Sequence, residues 1–441
     1  MAQCWGVPSV LRRSGPFEHR NPRLFIFFTT LYNARAYYPV LAIFFTDLGL
    51  SLERFVLLNL VWAASIFLVE VPAGALADTL GRKKLLVFSA CSMVAEMLIL
   101  LCAPKDGGAV LFGLCIANRM LSGLSEGTAS GADESIAYDA LPEAGRKEAW
   151  DQVQGAAIRW KSSGFLIAML LGGLLYDMSW LANLPGHLVV PASISHRLPI
   201  AVVFVQALAC VAIAWRLEET RPVQEGSLVV RCRQALRVTL ATAKMAFTTR
   251  NIAVVIIGGL LIDSVCRNFA TITSEYYRLI HIPAWAFGVI GAVGGLMGWV
   301  VPGIAGFLNK RFSTLGVLGI TGGTAAVCLA SLAPAWPWFG LLPAMVLMIL
   351  LGLVGFTVSR HLHASAESSQ RATLLSVRGM AFNLGYGGFS LAFSTLLARL
   401  RNHEGASAFQ AALYWQLPVF AVILLGFFGW AFATRKKGEA V

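Results

Sequence analysis

Arg35, Glu70, Glu96, Arg119, Arg159, Lys161, Asp263, Arg267 and Arg378 all stand inside long apolar stretches of the chain. An ionised group in such a place costs roughly 2.5–3.5 kcal/mol to insert into lipid, so each is expected to face a wet cavity or a partner. Two kinds of chemistry are open to the set. A carboxylate exposed alternately to two sides can carry a proton, and Glu70 and Asp263 are the candidates. A guanidinium is always charged, so Arg35 and Arg119 carry no proton; they suit binding an anionic group or tuning a nearby carboxylate. Neither has an acidic residue one turn away at the same depth. With Tyr32, Asp263 and Arg267 they form the expected cavity-lining set.

Several of these groups also have plain structural readings. Asp263 and Arg267 are spaced i, i+4, so they either neutralise one another or work in gating or coupling. Glu70, Gly74 and Asp78 share one helical stripe. Arg159 and Lys161 point about 200° apart on a helix, so both cannot face one cavity equally. Glu126, Asp133, Glu134 and Asp139 are expected to pair with Arg82 or with Arg146 and Lys147. His361 and His363 sit two residues apart, a spacing that does not share a helical face, so no metal site is expected there. Tyr32, Tyr37, Tyr38, Tyr276 and Tyr277 either line a cavity or belong to interfacial aromatic belts.

The elements that must position these residues follow from composition. The 441 residues are 57% hydrophobic and 13% charged, with a mean hydropathy of +0.69; soluble domains carry roughly 25% charged residues. Such a chain needs lipid as solvent, which excludes soluble enzyme, disordered and disulfide-scaffold classes. The net charge of +12 sits in short runs between apolar stretches, so it marks orientation in a membrane rather than nucleic-acid binding. Cys91, Cys102, Cys115, Cys210, Cys266 and Cys328 fall in or beside apolar stretches, Cys4 and Cys232 in basic segments, and none shows metal spacing. Met1 to Pro22 has no apolar core of signal-peptide length, so no cleaved leader is expected.

A crossing takes about 20 apolar residues in helix. On that length twelve spans are expected, near 23–47, 53–77, 84–103, 109–130, 150–176, 198–216, 251–279, 285–308, 314–333, 338–360, 372–399 and 407–432. Arg12, Arg13, Arg20 and Arg23 fall on one side. With them fall Arg82 to Lys84, Arg146 and Lys147, the basic segment 217–250, Lys310 and Arg311, and Arg435 to Lys437. The opposite loops hold few cations, among them Lys105, Arg197 and Arg401, so both termini are placed in the cytoplasm. The expected organisation is a cytoplasmic segment 1–22, a six-helix bundle 23–216, a central cytoplasmic loop 217–250, a second six-helix bundle 251–432 and a cytoplasmic tail 433–441. Equal halves suggest an internal repeat. Gly306, Leu308, Lys310 and Arg311 echo Gly74, Leu76, Arg82 and Lys83.

The run Gly74-Ala-Leu76-Ala-Asp78-Thr-Leu-Gly81-Arg82-Lys83 resembles the signature that the major facilitator superfamily carries between helices 2 and 3, with Thr79 where the family often has Arg. The resemblance covers about residues 20–435. It implies an all-α integral membrane fold of two pseudo-symmetric six-helix bundles. It also implies a conformational latch built from Gly74, Asp78, Gly81, Arg82 and Lys83. The runs Glu70-Val-Pro72-Ala-Gly74, Ser130-Gly131-Ala-Asp133-Glu134 and Arg371-Ala-Thr373-Leu-Leu-Ser376 look like patterns of bacterial drug/proton antiporter-like members. Arg119-Met-Leu-Ser-Gly123 fits a motif of proton-coupled members. On the fifth span Gly164, Gly172 and Gly173 keep the register of the antiporter motif, but Ala168 and Met169 replace its central Gly-Pro. Small residues there let helices approach closely.

The resemblance implies a non-enzymatic secondary active transporter in the inner, cytoplasmic membrane, exporting an amphipathic or drug-like compound by alternating access. Its alternatives are uptake or exchange of an organic anion, and a transport-inactive sensor or scaffold. No cofactor is expected beyond a proton gradient. The expected partners are a small-molecule substrate and the bilayer, without nucleic acid, for a monomeric protein.

Overall fold

A computed structural model describes residues 15–183, 189–220, 227–365 and 371–434. Cys4, Arg12, Arg13, Arg221 and Arg435 to Lys437 lie outside the described residues, with most of the expected terminal segments. Helix is the form every described span takes, because only helices and closed barrels satisfy the backbone in lipid. The helices are α1 (Arg20–Asn33), α2 (Leu41–Asp47), α3 (Leu52–Leu80), α4 (Arg82–Cys102), α5 (Gly108–Ala129), α6 (Ala132–Tyr138), α7 (Arg146–Tyr176), α8 (Ala192–Ser195) and α9 (Leu198–Arg216). They continue as α10 (Leu228–Thr248), α11 (Arg250–Leu279), α12 (Ala284–Met297), α13 (Val301–Arg311), α14 (Thr314–Leu332), α15 (Leu341–Ser365), α16 (Arg371–Glu404) and α17 (Ala408–Ala433).

Among the described residues nine helices are long and apolar enough to cross a membrane, or up to ten if α12 and α13 count as one bent span. That pair bends by 43°. Its i→i+3 bonds Gly298 N to Gly295 O, Trp299 N to Leu296 O and Val300 N to Met297 O tighten the joint, and Pro302 then opens α13 without a backbone donor.

The first expected span, 23–47, is not one helix. α1 ends at Asn33 and a 3-10 turn, Tyr38–Val40, precedes α2. Pro39 is the cause: it has no N–H to give to the Arg35 carbonyl, and its ring crowds that carbonyl. The freed backbone groups find side chains instead. Arg35 Nε donates to the Tyr32 carbonyl at 3.2 Å, and the Ala42 and Ile43 N–H groups donate to Ser274 Oγ at 3.0 and 3.2 Å. The span expected at 372–399 lies within the unbroken 34-residue α16. Asn383, Ser390 and several glycines make it less apolar than its neighbours.

The chain forms two compact units. One comprises residues 1–40 and 65–236, the other residues 41–64 and 237–441. Residues 41–64, which the even sequence division assigns to the first half, thus pack with the second. In the first unit α1 packs on α7 and α9, and α4 on α5 and α9. The stripe Gly164–Ala168–Gly172 on α7 makes close contact there. A Cβ at Gly172 would stand 1.7 Å from the Ala36 carbonyl oxygen, and one at Gly164 would stand 2.8 Å from Thr30 Cγ2. In the second unit α11 is the enclosed centre, packed on α15, α16 and α2.

Candidate functional site

In the second unit the polar residues of α11 and α16 converge. Asp263 is buried at 3% exposure, and Arg267, one turn on, reaches it at 2.9 and 3.0 Å. The Arg267 side chain remains 29% exposed. Its other branch donates to Asn383 Oδ1 at 3.1 Å, and the guanidinium lies 5.7 Å over the Tyr386 ring. Tyr386 OH shares a 2.8 Å hydrogen bond with Thr271 Oγ1, and its ring meets Trp62 edge-on at 6.2 Å. Arg378 stands on α16, the helix that also carries Asn383 and Tyr386. It donates to Ser359 Oγ at 3.1 Å and covers the Phe382 ring at 4.7 Å. The Asp263–Arg267 pair thus stands beside an aromatic wall of Tyr386 and Trp62.

The i, i+4 spacing of Asp263 and Arg267 makes their pairing readable. Sequence reasoning did not single out Asn383, Tyr386, Thr271 or Trp62. Asn383 had a signal, as a polar side chain inside an apolar span with a tyrosine one turn on.

In the first unit Arg35 is not without an acidic partner. Its Nη1 lies 3.0 Å from Glu96 Oε2, with the two side chains 2% and 1% exposed. Tyr37 OH accepts from Arg35 Nη1 at 3.1 Å and donates to Glu96 Oε1 at 3.3 Å. The Glu96 backbone carbonyl accepts from Asn118 Nδ2 at 2.9 Å. Tyr32 is enclosed as well: its hydroxyl meets Ser125 Oγ at 2.6 Å and accepts from Ser89 Oγ at 3.2 Å. Arg119 is 7% exposed on α5. Arg35 and Tyr32, expected to line a cavity, are therefore closed into packing contacts in this structure. Tyr276 and Tyr277 are buried too, at 0% and 5% exposure, while Tyr38 is exposed.

Glu70 is partly buried on α3. Gly74 and Asp78 are exposed on the same helix, and Gly81 turns the chain into α4. Gly81 has φ +94°, a conformation that disfavours any residue with a Cβ. Arg82 makes an ion pair with Asp139 inside the same unit, which is one of the pairings expected from sequence. The Lys83 N–H donates to Glu219 Oε2 at 3.0 Å. His361 Nδ1 meets Thr314 Oγ1 at 3.1 Å.

The chain matches the Major Facilitator Superfamily over residues 23–386, and it belongs to that family. It is therefore a multi-pass membrane transporter of the secondary-transport type, not an enzyme. No curated protein matches it in sequence. Among solved structures it is similar to the nucleoside transporter NupG, with TM-score 0.68, 14% identity, and 95% of this chain and 99% of that one covered. A D-xylose-proton symporter gives TM-score 0.61 and 16% identity over 96% and 97% of the two chains. A bacterial homologue of the human lysosomal transporter Spinster, inward-facing and occupied, gives 0.63 and 17% over 96% and 98%. At these identities the likeness concerns the fold.

Proposed function

We propose that the protein exports a small amphipathic solute by alternating access, in exchange for protons, across the inner membrane. Asp263 is the proton-carrying group and Arg267 its switch. The observation that carries this reading is the Asp263–Arg267–Asn383 arrangement: a buried carboxylate whose charge is balanced by a guanidinium that stays 29% exposed. Protonation of Asp263 removes that balance and frees Arg267; loss of the proton restores the pair. A transport step needs such a two-state element, biased by both the proton and the solute. Trp62 and Tyr386 supply the apolar face an amphipathic solute requires. The export direction rests on the drug/proton antiporter-like motifs, and one similar fold is that of a proton symporter.

Glu70 is retained as a second proton candidate. Arg119 remains a cavity candidate, and Gly74, Asp78, Gly81, Arg82 and Lys83 the conformational latch. In proteoliposomes an imposed pH gradient should drive flux of an amphipathic dye. Asp263→Asn should abolish the dependence on the gradient, and Glu70→Gln tests the second carboxylate. Flux that ignores the gradient in the unmodified protein would defeat the proposal.

A second reading, exchange of an organic anion, is favoured by one observation: the Arg267 side chain stays 29% exposed beside the Tyr386 ring, although it is paired with Asp263. It requires Arg267→Gln to abolish binding of acidic aromatic ligands while neutral ligands bind as before. Equal loss of both ligand types would reject it.

A further inference from the structure

Helix α10 has two exposed stripes of different chemistry running side by side. Arg237 and Lys244, seven residues apart, project within about 20° of each other. Leu240 and Phe247, also seven apart, fill the adjacent strip, about 40–80° away. All four are exposed, and Leu240 and Phe247 keep 59% and 46% of their surface open. One turn earlier on the same helix, Arg233 and Leu236 continue the two stripes. Between Glu225 and Asp263 the sequence contains no acidic residue, so nothing offsets this cationic face along the helix itself.

Thr249 alone separates α10 from α11. Since α11 is apolar enough to span the membrane, the end of α10 is held at the membrane surface. The next residue, Arg250, lines an apolar groove of about 500 Å³. Gly316, Gly319 and Gly323 of α14 form one wall, and Leu424, Leu425 and Phe428 of α17 the other. The glycines hollow it out: a Cβ at Gly323 would meet nothing within 4 Å. At the mouth Arg250 donates to the Ala431 carbonyl at 2.8 Å and to Thr434 Oγ1 at 3.3 Å.

We infer that this region is a binding site for an anionic phospholipid of the leaflet adjoining α10. Its phosphate is held by Arg250 with Lys244, Arg237 adds to the positive field of the same surface, and an acyl chain lies in the α14–α17 groove. Basic residues beside an exposed apolar strip suit a helix lying in the headgroup plane, and the groove supplies what a soluble phosphate would not use. The inference is independent of the transported solute.

The test uses the full-length protein in detergent, incubated with phosphatidylglycerol or phosphatidylcholine and followed by native mass spectrometry. Phosphatidylglycerol should be retained well above phosphatidylcholine. The R237Q/K244Q/R250Q variant should lose that preference on the order of a hundredfold, from about fivefold per cation near a membrane surface. R237K/K244R/R250K should keep it and serves as the folding control. Gly323→Leu should weaken retention of phosphatidylglycerol, and millimolar glycerol phosphate should leave phosphatidylglycerol bound to the unmodified protein. Equal retention of the two lipids, or undiminished preference after neutralisation, would overturn the site. Displacement of phosphatidylglycerol by millimolar glycerol phosphate would also overturn it, by showing a headgroup-only anion site.

Discussion

Arg35 Nη1 and Glu96 Oε2 lie 3.0 Å apart with almost no exposure of either side chain, and Tyr37 bridges them. Removing one partner of a buried pair strands the other charge, at a cost of about 3–5 kcal/mol, whereas replacing both with apolar residues costs far less. Arg35→Met and Glu96→Met should each lower the thermal unfolding midpoint in detergent sharply, and the double variant should recover most of the loss. A solute-binding Arg35 would behave differently, with ligand affinity falling and stability unmoved.

Gly172 faces the Ala36 carbonyl so closely that a methyl group would stand 1.7 Å from its oxygen. Gly172→Ala must push α7 away from the break after α1, and overpacking of this kind costs about 1–3 kcal/mol or more. Expression and melting temperature should both fall. Gly74→Ala, where a Cβ meets nothing within 4 Å, is the control and should melt like the unmodified protein.

Asp139 and Asp78 should separate structure from movement. Asp139 is bonded to Arg82 with its side chain 5% exposed, so Asp139→Asn should destabilise by about 1–3 kcal/mol through the weakened charged hydrogen bond. Asp78 is exposed, and Asp78→Asn should change stability by under about 0.5 kcal/mol. If Asp78 belongs to the latch, that same variant slows solute flux severalfold with ligand affinity intact. An unchanged flux removes Asp78 from the latch.

What the sequence discloses here is mostly local. The run from Gly74 to Lys83 is contiguous, and Asp263 and Arg267 are one turn apart, so motif and pair are both visible in a linear text. Long apolar runs also reveal the helices. Partners brought together by packing are not visible in that way. Glu96 lies 61 residues from Arg35 and Asn383 lies 116 from Arg267, and only helix crossings decide such pairs. The break after α1 had a visible cause in Pro39. Its apolar surroundings masked it, and the freed backbone is satisfied by Ser274 from far along the chain and by Arg35 within the break.

Proton exchange at Asp263 is tested most directly by solute flux in proteoliposomes at fixed solute gradient, with and without an imposed pH difference, for the unmodified protein and Asp263→Asn. The account predicts flux that rises with the pH difference in the former and is indifferent to it in the latter, with solute counterflow preserved in both. An Asp263→Asn variant whose flux still follows the pH difference would contradict it.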